Sequence, residues 1–388
     1  MKYDFSNPPS RRGTSCYKWD SFPGDYQMWV ADMDFATAPE IIAAIKARVE
    51  HGIYGYAKIP EEWTASYQSF YRDEYQWEIP GEALVFALGV VPILSSSVRA
   101  LTEAGDNVVI LPPVYNIFYN SIVNNKRNVL EVPLVEREGQ FYIDFGGIEA
   151  AFAQPKTKLC IFCNPGNPVA RIWNAQELNE LAALAKKYGV IILSDEIHGL
   201  VTRPGIPYQP FLTAKKENEE VGFAAISPTK AFNLAGIHTA ALVCPNPAIR
   251  AKVERQLNTD EVAEPNVFST VASIAALNQG REWLKQCKEV LFANRDLATA
   301  FINDQIPGLY AYGGDATYLL WVNCKDVEPN AEKLLAYLSS TQGLVFNDGA
   351  HYGKGGEGHF RINLACPTSR LKEALERLKR GIETYGKR

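Results

Sequence analysis

Short apolar runs alternate with helical patterns through the middle of the chain. LVFAL at 84–88 and NVVIL at 107–111 flank a stretch from Pro92 to Glu103 that reads as a helix. KLCIFC at 158–163 precedes a helix with both ends marked. Asn174 supplies an N-cap, Glu177 three residues later suits a capping box, and Leu178, Leu181 and Leu184 share a face. Lys186 and Lys187 then fall in the last turn and Gly189 stops it. VIILSD at 190–195, FAAIS at 223–227 and TAALVC at 239–244 follow. These runs are continuously apolar and separated by helices. The pattern predicts an α/β fold: a large domain with a mostly parallel sheet covered by helices on both faces, TAALVC being one of its strands.

The last hundred residues differ. A long amphipathic stretch begins near Glu282, followed by the strand TYLLWVNC, a helix over 331–339 and the strand HFRINLA. A closing helix carries Leu371, Leu375, Leu378 and Ile382 at helical spacing. This reads as a smaller α+β domain. Near the other end, a helix starts at Pro39 and stops at Gly52, after 38 loop-rich residues that join the small domain or line a cleft. The expected division is 1–45 as an N-terminal segment packing with the small domain, 46–284 as the large domain and 285–388 as the small one.

Composition narrows the function classes. The 388 residues, 47% hydrophobic and 21% charged, suffice for two or three domains with a substantial core. A net charge of −5 without a basic block argues against a nucleic-acid or anionic-membrane partner. No apolar stretch is long enough to span a bilayer, and seven thinly spread Cys do not suggest a disulfide framework. A cytoplasmic enzyme is the expectation.

The chemistry concentrates between Asn164 and Gly236. CNPGNP, SDEIH and SPTKAFNLAG place Asn164, then Asp195 and His198, then Lys230, after successive predicted strands. Open α/β sheets hold their ligand crevices at such carboxyl ends. Lys230 there suits a Schiff-base nucleophile beside a phosphate, Asp195 could keep a pyridine nitrogen protonated, and Asn164 could bond a ring hydroxyl. Each residue alone has an ordinary explanation; their order on successive strands does not. Strand alternation sets Asp195 and His198 on opposite faces, so the chain must leave the strand between them. Gly89, Val90, Val91 and Pro92 open a helix directly after a strand, offering free N–H groups to an anion. Tyr115 in LPPVYNIF could stack on a flat ring.

These motifs resemble fold-type I pyridoxal-phosphate enzymes of the aminotransferase class I/II superfamily. RRGTSCYKWD followed by MWVADMDFATAPEI is similar to the MalY/PatB-type cystathionine β-lyases, or C–S lyases, within it. The resemblance implies a pyridoxal 5′-phosphate cofactor carried on Lys230, with Asp195 on the ring nitrogen, Asn164 and His198 near the ring oxygen and Tyr115 stacked. It implies a phosphate cup of Val90, Val91, Ser227 and Thr229. It also implies Arg361 as the grip on the substrate carboxylate, Ala31 and Asp32 beside the substrate, and Tyr56 reaching into a neighbouring subunit of a homodimer. The implied activity is elimination from cystathionine or a related sulfur amino acid. Transamination on the same scaffold is the alternative, and a regulatory role through the protein surface is a third reading.

Two departures stand out. NPGNPVAR has Ala170 where a glycine is expected, which predicts an altered turn because Ala takes positive φ only at a cost. Pro228 in SPTK removes one N–H from the phosphate surroundings. Two further patterns carry no chemistry on this reading. GKGGEG at 353–358 precedes a strand and reads as a loop, and Cys160 and Cys163 fall inside a strand and read as buried thiols. His51, His238, His351 and His359 show no metal-ligand spacing, and no metal is expected.

Overall fold

The computed structural model describes residues 2–386. Its largest sheet has seven strands, in the spatial order Leu84–Ala87, Ala240–Val243, Gly222–Ile226, Ile191–Asp195, Thr157–Cys163, Asn107–Ile110 and Asn128–Glu131. Alternate residues of one strand enter different cores. Leu159 and Ile161 pack with the Val90–Leu101 helix on one face, while Cys160 and Phe162 pack with Leu178 and Leu181 on the other. Burial on both faces is why these strands are apolar throughout. The 175–188 helix has the expected ends, with Asn174 and Glu177 closing a reciprocal capping box and Gly189 at a φ of 69°.

One strand runs against expectation. Ala240–Val243 is antiparallel to both of its neighbours. A parallel return would need a crossover element. Residues 227–239 instead hold only a short turn of 3-10 helix at Ala235–Ile237. The chain therefore reverses at the carboxyl edge, and both ends of this connection stay there. Apolar composition cannot reveal strand direction when both faces are buried.

A second sheet of four antiparallel strands, Tyr310–Ala311, Leu319–Asn323, His359–Asn363 and Asn347–Asp348, forms another core with the Ala331–Gln342 and Thr368–Tyr385 helices. The helix Arg281–Gln305 crosses the expected 284/285 junction without a break. Trp283, Leu284 and Leu291 lie in the first core, Ala298 and Ile302 in the second. The N-terminal residues also divide. Tyr26 and Met28 join the second core, where Tyr26–Gln27 pairs with Leu344–Val345, whereas Phe5, Met33, Phe35 and Ile41 join the first.

The turn after Cys163 adopts the conformation that a glycine would favour. Ala170 sits at a φ of 56°, so the substitution leaves this left-handed position in place. Ala170 N–H donates to Gly166 O at 2.8 Å, and its carbonyl accepts from Asp315 and Ala316 at 3.2 Å each. Gly314 faces it closely, since a Cβ there would lie 2.7 Å from that of Ala170. An L-residue in this region carries about 1–2 kcal/mol of strain, partly offset by a less flexible unfolded chain. Ala170→Gly should accordingly stabilise the protein by about 0.5–1 kcal/mol, raising the urea midpoint without altering the slope.

Candidate active site

A cavity of about 390 Å³ opens at the carboxyl edge of the large sheet. It lies where the strand order reverses between Asn107–Ile110 and Thr157–Cys163, the topological position at which such sheets bind ligands. Ala31, Gly89, Val90, Val91, Tyr115, Asp195, His198, Thr229 and Lys230 all line it. The strand Ile191–Asp195 ends at Asp195, and a turn over 196–199 brings His198 back to the cavity side. The helix at Val90 starts without a side-chain cap, leaving its first N–H groups available to an anion.

Five expected residues lie elsewhere. The Asn164 side chain donates to Gln209 O at 3.1 Å and does not line the cavity. Asn167, three residues later in the same NPGNP motif, lines it instead, and its Oδ1 accepts from Arg361 Nη1 at 3.2 Å. Two Asn-Pro pairs look alike in composition; the first is drawn into the sheet edge because Asn164 N–H donates to Asp195 O. Ser227 is fully buried, its Oγ bonded to Thr239 O at 2.7 Å and facing Thr229 Oγ1 at 2.8 Å, so it braces Thr229 from behind the wall. The Asp32 carboxylate turns away to Arg11, at 2.6 Å, and Lys18, at 3.5 Å. Arg361 is buried just beyond the cavity wall, its guanidinium 5.2 Å from the Tyr352 ring centroid. Tyr56 is fully exposed in a segment without regular secondary structure.

The cavity contains residues that the motifs did not single out for chemistry. His238 and Thr239 line it because the antiparallel strand begins beside it. Tyr318 stands edge-on to His198, with ring centroids 6.2 Å apart, and donates to Ala31 O at 3.0 Å. A tyrosine in TYLLWVNC, one residue before the strand Leu319–Asn323, carries no sequence signal beyond core packing.

Burial sets the electrostatics. Desolvation lifts Asp195 to about 7, against a backbone hydrogen bond from Ile197 and the Lys230 charge. It lowers Lys230 to about 8, where Arg361 also lowers it and Asp32 and Asp195 oppose the shift. His198 is driven well below its ordinary value by burial, then by Lys230 and Arg361, and is neutral at pH 7. A lysine, a carboxyl and a neutral imidazole, each shifted by burial, thus share one cavity. A larger cleft of about 610 Å³ beside Trp173 and Tyr310 lacks this character. Its Arg171 is paired with Glu177 and its Asp315 with Arg203.

The aminotransferase class I and II family model matches residues 28–378. The chain belongs to this family. Cystathionine beta-lyase PatB of Bacillus subtilis (strain 168) is 32% identical over 385 residues, covering 98% of this chain and all of that protein. The structure of cystalysin from Treponema denticola, which contains pyridoxal 5′-phosphate, superposes with a TM-score of 0.95 at 29% identity, covering 99% of this chain and 100% of that one. A C–S lyase from Staphylococcus hominis, bound to pyridoxal phosphate, gives 0.92 at 29%, covering 98% and 99%. The aminotransferase class I and II span takes in every cavity residue named above but not Arg11 or Lys18, which grip Asp32 and Asp34 from outside it.

The raised Asp195 value has a signed consequence for the cofactor-free protein. The folded state holds a proton on Asp195 that the unfolded state loses above about 4, so stability falls as pH rises from about 4 to 7. Glu196 is raised to about 7 as well and adds to the same trend. Asp195→Asn removes one of the two contributions. Urea unfolding at pH 5 and pH 7.5 should show the wild type losing about 2–4 kcal/mol more than the variant.

Proposed function

We propose that this protein is a pyridoxal-5′-phosphate-dependent carbon–sulfur β-lyase that converts L-cystathionine or a related cysteine S-conjugate, with one water, to a thiol, pyruvate and ammonia. The observation carrying this reading is the convergence of Lys230, Asp195 and Tyr115 on one cavity, in a chain that aligns end to end with a cystathionine beta-lyase. The cavity suits the cofactor on its own terms. Among the described residues, His198 Nδ1 in the cavity and Arg361 Nε just beyond its wall are buried without hydrogen-bond partners, each at a cost of about 1–3 kcal/mol that a polar ligand can recover.

Lys230 would carry the cofactor, and Asp195 would face its ring nitrogen. Tyr115 would lie against the ring, with Asn167 and His198 toward its oxygen. The amides of Val90 and Val91, with Thr229 and His238, would hold the phosphate. When bound, the group supplies an electron sink that acidifies the substrate α-carbon. Once the substrate amine has taken its place, Lys230 is free, and with its charge disfavoured by burial it would take the α-proton on Nζ. Arg361 presents a rigid fork for the substrate carboxylate, oriented by Asn167 Oδ1 and by Trp29 O at 2.7 Å. Neutral His198 can donate or accept without adding a charge. These ring contacts serve elimination and transamination alike, and the family likeness decides for elimination.

We also infer a homodimer in a cytoplasmic setting, with two domains hinged on the 281–305 helix and the first 45 residues shared between them. Ile53, Tyr54, Tyr56 and Ile59 form an exposed apolar run suited to a partner subunit, whose cavity Tyr56 would reach. Among the described residues no helix is long and apolar enough to cross a membrane. Sedimentation should give twice 43.1 kDa.

The deciding experiment is pyruvate release from L-cystathionine by the cofactor-loaded protein without a 2-oxo acid. Sustained turnover is expected, with Lys230→Ala losing at least about 10³-fold. Turnover that depends on added 2-oxoglutarate would move the protein to the aminotransferases.

A further inference from the structure

Lys230 does not stand free in the cavity. Its Nζ donates to Ala31 O at 2.6 Å, and Tyr318 Oη donates to the same oxygen at 3.0 Å. One carbonyl thus accepts a lysine ammonium and a phenol through its two lone pairs. Tyr318 is buried, and burial holds its hydroxyl well above the ordinary tyrosine range, so it remains a donor at any working pH. The positive end of its O–H dipole is directed at the oxygen that holds the ammonium.

The carbonyl itself is fixed by other groups. Asn363 Nδ2 donates to Val30 O at 2.5 Å and to Asp32 O at 2.6 Å, and Arg361 to Trp29 O. Asn233 Oδ1 accepts from Met33 N–H at 3.0 Å, and Arg11 pairs with Asp32. The Tyr318 hydroxyl is therefore unnecessary for placing Ala31. It is spare for a role in the lysine's chemistry.

We propose that Tyr318 is a positioning residue for Lys230, which shares the Ala31 carbonyl so that the lysine is held in place weakly enough to exist as a free amine. The proposal rests on the reading of Lys230 as the cofactor-bearing lysine. The other groups that act on Lys230 are Asp32, through its field from the N-terminal segment, Asp195 and His198 from the sheet edge, Tyr115 across the cavity and Arg361 from the second sheet. Tyr318→Phe leaves all of them in place and gives the carbonyl wholly to the ammonium.

The test uses full-length protein stripped of cofactor, wild type against Tyr318→Phe. Competitive acetylation, read on the Lys230 peptide by mass spectrometry across pH, gives the lysine's titration midpoint. The midpoint should rise by about half a unit to one unit in the variant. Capture of pyridoxal phosphate, followed by its visible absorbance on joining lysine, should slow by about 3–10-fold below the midpoint and converge with wild type above it. Affinity for pyridoxamine phosphate, which cannot join a lysine, should be unchanged. Should Tyr318→Phe fold poorly, 3-fluorotyrosine at position 318, a stronger donor of the same shape, should lower the midpoint. An unmoved midpoint in the folded variants overturns the proposal. Wild type that captures no pyridoxal phosphate on Lys230 would instead overturn the functional reading, while the acetylation arm still reports on Tyr318.

Discussion

Everything in this site follows from burying two ionisable groups of opposite type in one cavity without joining them. Asp195 accepts from Ile197 N–H, and Lys230 donates to Ala31 O. A direct salt bridge would relieve the desolvation of both, but it would also tie up the lysine as a cation and the carboxylate as its partner. Held apart, each is destabilised in its charged form by the same burial. Removing an ion from water costs several kcal/mol even after relaxation. The cost is borne by two well-filled cores on the faces of the large sheet. The molecule is thus poised for a ligand that carries complementary charge.

The N-terminal segment keeps that poise. Residues 29–34 pass beside the cavity without regular structure, yet almost every carbonyl in them is gripped. Asn363 and Arg361, two apart and on one side of their strand, hold Trp29, Val30 and Asp32, while Asn233, three residues after Lys230, holds Met33 and Phe35. Lys18, almost wholly buried, and Arg11 tie down Asp32 and Asp34 from the far side. The second sheet, the lysine turn and the N-terminus therefore meet on one short strand of backbone. Asp32, expected beside the substrate, belongs to this clamp and reaches Lys230 only through its field.

What was legible in the sequence is what depends on local spacing. Continuous apolar runs marked the strands, the capping box and Gly189 marked a helix, and the strand ends marked Asp195, His198, Lys230, Tyr115 and the Val90 turn. Quantities that depend on how strands meet were hidden. The direction of Ala240–Val243 is one, and the entry of His238 and Thr239 into the cavity follows from it. The choice between Asn164 and Asn167 is another, decided by where the backbone leaves the sheet edge. Ala170 shows a third kind of limit: a residue type that disfavours a conformation does not prevent it when three neighbouring hydrogen-bonding groups and a facing glycine require it.

The reversed strand has a consequence for chemistry. Had the chain crossed over after Lys230, as a parallel strand demands, the residues after the lysine turn would have left the carboxyl edge. The antiparallel return instead delivers Thr229 and Lys230 on one side and His238 and Thr239 on the other, within a single short connection. Pro228 removes an amide from this connection, and Ser227 is committed to Thr239 O, so the proposed phosphate site draws on fewer groups from the lysine motif than its letters suggest. The helix at Val90 and the start of the returning strand make up the difference. In a site built this way the geometry of the reversal, more than the identity of any one hydroxyl residue, brings the proposed anion-binding groups together.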